Sequence, residues 1–101
     1  MEKLLRYELP PAAIKDLNDL RFFLREREEI DVFDLMRKRI KTAITLLRKF
    51  PKLGTYREEV GARSFPVPKT KYIIFFREKD DLLEILRVYH SSLPRLKHRK
   101  R

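Results

Sequence analysis

The spacing of the apolar residues changes character at Gly54, and that change constrains the fold more than any other feature of the chain. From Ala12 onward Ile14, Leu17, Leu20 and Leu24 recur at three- and four-residue steps, with Lys15, Asp16, Asn18, Asp19 and Arg21 between them, which is the pattern of an amphipathic helix. Residues 25–29 are too polar to bury and are expected to fray into a connector, after which Asp31 is placed to cap a second helix. There Phe33, Met36, Ile40, Ala43, Ile44 and Leu47 form one stripe over about four turns, while Arg37, Lys38, Lys41 and Arg48 face away. Pro51 and Gly54 stop the helix. Beyond Gly54 the apolar residues alternate or run together, and residues 63–67, 71–77 and 82–90 read as strands. Tyr72, Ile73, Ile74, Phe75 and Phe76 are apolar on both alternations, which predicts a central strand covered on each face; Pro66 places the first of the three nearer an edge. Glu78, Lys79, Asp80 and Asp81 make the hairpin turn. Leu4 to Leu9 is short and β-compatible, and Pro10-Pro11 ends it and starts the first helix. The predicted class is α+β: an N-terminal strand, an α-helical hairpin, then a three-stranded antiparallel meander.

With 101 residues, one domain is expected, and a chain of this size buries roughly two-thirds of its unfolded surface, enough for a core without staples. There is no cysteine, so thiol catalysis, zinc ribbons and disulfide frameworks are excluded together, which fits a cytoplasmic chain. Only His90 and His98 can offer imidazole, and His98 lies among cations that repel a metal, so no metal or other cofactor is expected. No apolar run approaches the roughly 20 residues that span a bilayer, and the N-terminus lacks a signal peptide's apolar region; no membrane partner is expected. The formal net charge is +10, and residues 94–101, with five Lys or Arg and no acid, supply half of it. The chain therefore divides into a domain over residues 1–93 and a basic tail over residues 94–101, and its charge favours nucleic acid, acidic proteins or anionic surfaces.

Several chemistries are poorly provided for. The glycines, Gly54 and Gly61, flank a charged loop and form no phosphate-cradling motif. His90-Ser91-Ser92 sets hydroxyls beside a histidine without the geometry of a triad. Glu28-Glu29, Glu58-Glu59 and Asp80-Asp81 sit in connectors or turns and read as solvated charges. What remains is cationic: Arg63, Arg77 and Arg87 on strands, Lys69 and Lys71 in a loop, Arg95 and Lys97 in the tail, with Tyr72, Tyr89 and His90 among them. Guanidinium groups hold phosphate, tyrosines stack on bases and a histidine exchanges protons, so these parts suit RNA. The same residues on a half-exposed sheet also serve as packing and snorkelling groups. Regular alternation puts Ile85, Arg87 and Tyr89 on one face and Leu86, Val88 and His90 on the other, so Arg87 and His90 are not expected to converge.

Five segments in order, Leu9-Pro10-Pro11-Ala12-Ala13-Ile14-Lys15-Asp16-Leu17, Phe50-Pro51-Lys52-Leu53-Gly54, Arg63-Ser64-Phe65-Pro66-Val67, Tyr72-Ile73-Ile74-Phe75-Phe76-Arg77 and Glu84-Ile85-Leu86-Arg87-Val88-Tyr89-His90, resemble the RelE/ParE toxin superfamily over about residues 4–91. The later segments resemble the ParE, or plasmid-stabilisation, branch more closely. The resemblance implies a growth-inhibiting toxin of a type II toxin–antitoxin module, neutralised by a cognate antitoxin whose acidic or amphipathic segment wraps it. For ParE-like members the implied target is DNA gyrase, with no catalytic residue. For RelE-like members it is mRNA on the ribosome, and Arg63, Arg77, Arg87 and His90 then take phosphate or proton roles by approximate position. A basic nucleic-acid-binding relative without toxicity is a third reading. Ser91-Ser92-Leu93-Pro94 departs from the Gly-Ala-Arg-Asp type of continuation common in ParE-like chains, which bears on the C-terminal contacts.

Overall fold

A computed structural model of the chain describes residues 4–91; the predicted tail over residues 94–101 lies outside them. Strand β1 (Arg6–Glu8) leads into helices α1 (Pro11–Glu26) and α2 (Ile30–Lys49), and a 3-10 turn over Pro51–Leu53 then delivers the chain to β2 (Thr55–Arg57), β3 (Ala62–Pro66), β4 (Tyr72–Lys79) and β5 (Leu82–His90). The sheet order is β1-β5-β4-β3-β2. Neighbours from β2 to β5 are antiparallel, and β1 lies parallel to β5. That parallel pair needs a long crossover, and the helical hairpin provides it. The α+β class holds, with β2 added to the meander at its edge. Its three residues, Thr55, Tyr56 and Arg57, are all exposed, so they carry no burial pattern that a sequence would reveal.

The core joins both helices to one face of the sheet only. Ala13, Leu20 and Leu24 of α1 and Ile40, Ala43, Ile44 and Leu47 of α2 pack on Ile74, Phe76, Leu83, Ile85 and Val88. Leu47, Ile74, Phe76, Leu83 and Ile85 are fully buried, each contributing about 1.5–3 kcal/mol of hydrophobic stabilisation. The opposite face carries Ile73 and Phe75 half-buried. The expected cover on both faces of β4 is thus corrected: its apolar run is central in the sheet, but the helices cover one side.

Other expectations shift for local reasons. The buried row of α1 is Ala13, Asp16, Leu20 and Leu24, so the stripe is rotated from the expected one and Ile14 is exposed. Arg25 and Glu26 stay helical, and the connector shortens to three residues turned by Glu28 at φ 58°. Asp31 lies in the first turn of α2 without capping it, where its charge still favours the helix's positive end. Glu78 and Lys79 extend β4, and the hairpin turn contracts to Asp80-Asp81 with Asp80 at φ 58°, the left-handed conformation that aspartate tolerates in tight turns. A β-bulge opposite Phe75 and Phe76 shifts the register of β5. Phe75 pairs with Arg87 and Phe76 with Ile85, so Leu86 is the extra residue. The bulge moves Ile85 onto the core face, away from Arg87 and Tyr89, correcting the regular alternation assumed from sequence.

Candidate functional site

The candidate cations distribute over both faces of the sheet, and each strand-borne arginine already has a partner. Directly paired residues share a face. Arg63 pairs with Phe76 and Tyr72 with His90, whereas Arg87 pairs with Phe75 and Arg77 with Glu84. Arg63, Tyr72 and His90 therefore lie on the helix side, and Arg77, Arg87 and Tyr89 on the other. On the helix side, Arg63 and His90 stand opposite Phe76 and Tyr72, four residues apart on β4, or about 13 Å along the strand.

Arg87 has the most structured environment. Its Nε and Nη2 donate to the two carboxylate oxygens of Asp16 at 2.8 and 2.7 Å, and the Val88 backbone N–H donates to Asp16 Oδ2 at 2.8 Å. Asp16 is buried. The short β1 pairs only with residues 82–84, and beyond it the Asp16 carboxylate takes the place of a strand acceptor for Val88. The hydrogen bonds that Arg87 donates to the Asp16 carboxylate raise the Arg87 pKa further above its already high value. A raised pKa means this contribution is complete below the ordinary arginine range and lost only above it, so the guanidinium stays charged through neutral pH. The Arg87 guanidinium also lies 4.6 Å from the Tyr89 ring centroid, and Tyr89 is buried and edge-on to Phe75 at 5.8 Å.

Arg77 Nε donates to Glu84 Oε1 at 2.6 Å, an exposed cross-strand pair. Arg63 Nη1 donates to the Gly54 carbonyl at 2.8 Å, and its guanidinium lies 6.0 Å from the Tyr56 ring centroid. The His90 ring meets Tyr72 edge-on at 5.1 Å. Lys69 sits at φ 63° in the β3–β4 loop, where its carbonyl accepts from Arg39 Nη1 at 3.0 Å. Lys71 is exposed, and its carbonyl accepts from the Ser91 N–H. Arg95 and Lys97 lie outside the described residues. Among the described residues no His, Cys, Asp or Glu cluster could hold a metal, and no helix is long and apolar enough to cross a membrane.

Burial pushes the Tyr72 phenol above the ordinary tyrosine range, so its stabilising contribution is present at neutral pH and falls as pH rises into and through the raised range. Tyr72→Phe keeps the ring against His90 and removes the ionisation. Urea midpoints of the two proteins, followed from neutral to strongly alkaline pH, are expected to show the native protein losing ground to the variant only at the alkaline end. A constant difference across the series would contradict the burial argument.

Asp16 is the residue that sequence reasoning placed among the solvated positions of α1. Its signal was present: Ala13, Asp16, Leu20 and Leu24 follow three-, four- and four-residue steps and form one helical row.

A family model described as the ParE toxin of the type II toxin–antitoxin system parDE matches residues 7–93. The fold is similar to a chain of the solved structure "Chromosomal ParDE TA system from P. aeruginosa", with a TM-score of 0.76 at 16% identity over 88% of this chain and 98% of that one. At that identity the likeness speaks for the fold. No curated protein sequence matches the chain.

Proposed function

The chain belongs to the ParE toxin family of type II toxin–antitoxin systems, and from that premise we propose that it arrests growth by binding DNA gyrase, in the cytoplasm, until a cognate antitoxin covers it. The observation that carries the reading is the engagement of the arginines. A metal-free ribonuclease aims several cationic groups and a proton donor at one phosphate. Here Arg87 is held by buried Asp16, Arg77 by Glu84 and Arg63 by the Gly54 carbonyl, on two faces of one sheet. That arrangement favours a toxin that acts by occupying a surface.

The antitoxin reading draws on the helical hairpin. Phe22, Phe23, Ile30, Val32 and Leu35 are exposed large apolar residues, and the net charge is +10. An acidic, amphipathic segment complements both properties.

Purified protein is expected to block supercoiling by gyrase, or to trap gyrase on cleaved DNA, while leaving mRNA on the ribosome intact. Unchanged gyrase at saturating protein, with cleavage of mRNA in the ribosomal A site, would overturn the proposal. In that event Arg63→Ala and His90→Ala should each slow cleavage by at least about tenfold if they act in its transition state.

A further inference from the structure

We propose that the outward face of α2 is a contact for the phosphate backbone of nucleic acid, carried by Lys38, Lys41 and Lys49 with the hydroxyls of Thr42 and Thr45 between them and Lys69 of the β3–β4 loop alongside. The inference starts from a segregation of charge. From residue 35 to residue 57 the chain has eight Lys or Arg and no Asp or Glu, and the next stretch without an acid, residues 60–77, includes the whole β3–β4 loop. The ion pairs among the described residues all lie elsewhere: Arg6 with Asp81, Lys15 with Asp19, Arg27 with Glu29, Arg77 with Glu84 and Arg87 with Asp16. Carboxylates thus pair with cations on α1 and the sheet, while on α2 the acids are confined to Asp31 and Asp34 in its first two turns and neither pairs with a lysine of the helix.

Helical geometry turns the composition into a surface. At about 100° per residue, Lys38, Thr42, Thr45 and Lys49 fall in a narrow fan opposite the buried Ile40, Ala43, Ile44 and Leu47, with Lys41 on its flank. All five outward residues are exposed. Lys38 to Lys49 spans about 16 Å, long enough to meet more than one phosphate of a duplex whose strands each place one every ~3.4 Å of helix axis. The Arg39 hydrogen bond to the Lys69 carbonyl ties the loop to the helix, and Lys38, Arg39, Thr42 and Lys69 rim a notch between them whose remaining lining is Ala43, Leu46 and Pro68.

Past Asp31 and Asp34, which share this side at the start of α2, the stretch from Lys38 to Lys49 offers lysines and hydroxyls with no carboxylate, the groups that position a protein on phosphate. An acidic peptide would need apolar anchors along the row as well, and Lys38, Thr42, Thr45 and Lys49 offer none; Leu35 and Leu46 are exposed only along its flank. This surface is independent of the gyrase reading, because it is assigned to bare nucleic acid.

The test uses the full chain and a fluorescently labelled duplex of arbitrary sequence, with binding followed by anisotropy over a salt series. The triple variant Lys38→Gln, Lys41→Gln, Lys49→Gln is expected to lower the slope of log affinity against log salt by about 2–3, since each lost phosphate contact removes about 0.9. A control, Lys15→Gln, Arg25→Gln, Arg27→Gln, removes the same formal charge from α1 and its C-cap and should leave the slope nearly unchanged. The substituted side chains are exposed, and thermal melting verifies that both variants fold. Failure of the native protein to bind duplex, equal losses in the two variants, or loss of binding to polyglutamate with duplex binding intact would each overturn the proposal.

Discussion

An Asp16→Ala chain is expected to be about 3–5 kcal/mol less stable than the native one, with a melting temperature at least about 12 °C lower for a domain of this size. The size of the effect follows from what the carboxylate does. It accepts both guanidinium donors of Arg87 and the backbone N–H of Val88 from a position that is itself buried. Its removal leaves a part-buried charge without its counter-ion and a strand N–H without an acceptor, and each loss carries a desolvation cost. Asp16→Asn keeps the volume and one acceptor oxygen, so it should fall between. Replacing Arg87 by Met in the Asp16→Ala background removes the stranded charge and is expected to recover part of the stability, leaving mainly the Val88 term. Chemical denaturation of the four proteins measures this directly; an Asp16→Ala cost below about 1 kcal/mol would show that water replaces the carboxylate without difficulty.

Gly54→Ala is the second large effect, and its sign is decided by contact distances. Gly54 has φ −75° and extended backbone, a conformation open to any residue, so chain entropy alone would make alanine stabilising by about 0.4–1 kcal/mol. A methyl group there would sit 2.6 and 2.7 Å from two carbons of the Phe76 ring and 3.1 Å from Arg63 Cβ. Phe76 is fully buried against the helices and cannot swing aside. Overpacking of this kind costs typically about 1–3 kcal/mol, and displacement of β2 would also disturb the Arg63 hydrogen bond to the Gly54 carbonyl. Phe76→Leu in the same chain should relieve the clash, so the double variant is expected to be more stable than the sum of the single effects allows. An unchanged or raised denaturation midpoint for Gly54→Ala alone would contradict the close packing of the 3-10 turn on β4.

These two positions mark how far the sequence was legible. The switch of apolar spacing at Gly54 identified both helices, the order of the main strands and the α+β class, because helical and strand periods are imposed by which side chains reach the core. Gly54 itself was read as a helix stop, yet α2 ends at Lys49 and the glycine serves the approach of Phe76. Nothing local in the sequence reports a ring arriving from a strand more than 20 residues later. Asp16 was hidden for a related reason: an acidic residue on a polar-looking helix reads as solvated until the β5 edge and Arg87 are placed beside it. The β5 bulge escaped because an alternating run of apolar residues does not declare where one residue is skipped. The candidate arginines were correctly placed on strands, but their partners are a main-chain carbonyl, a cross-strand carboxylate and a helix residue, and such pairings depend on topology. Lys38 and Lys41 were seen to face away from the core, whereas Arg48 turned out half-buried against the Leu5 carbonyl; that the α2 lysines form no ion pair became visible only with the ion pairs located.

The chain belongs to the ParE toxin family, and arrest of growth through DNA gyrase is the function proposed for it. The most direct measurement is induced expression in growing cells, with separate labelling of new DNA and new protein as growth stops. DNA synthesis failing first is the result expected here; protein synthesis failing first, or undisturbed growth with the folded protein present, would contradict it.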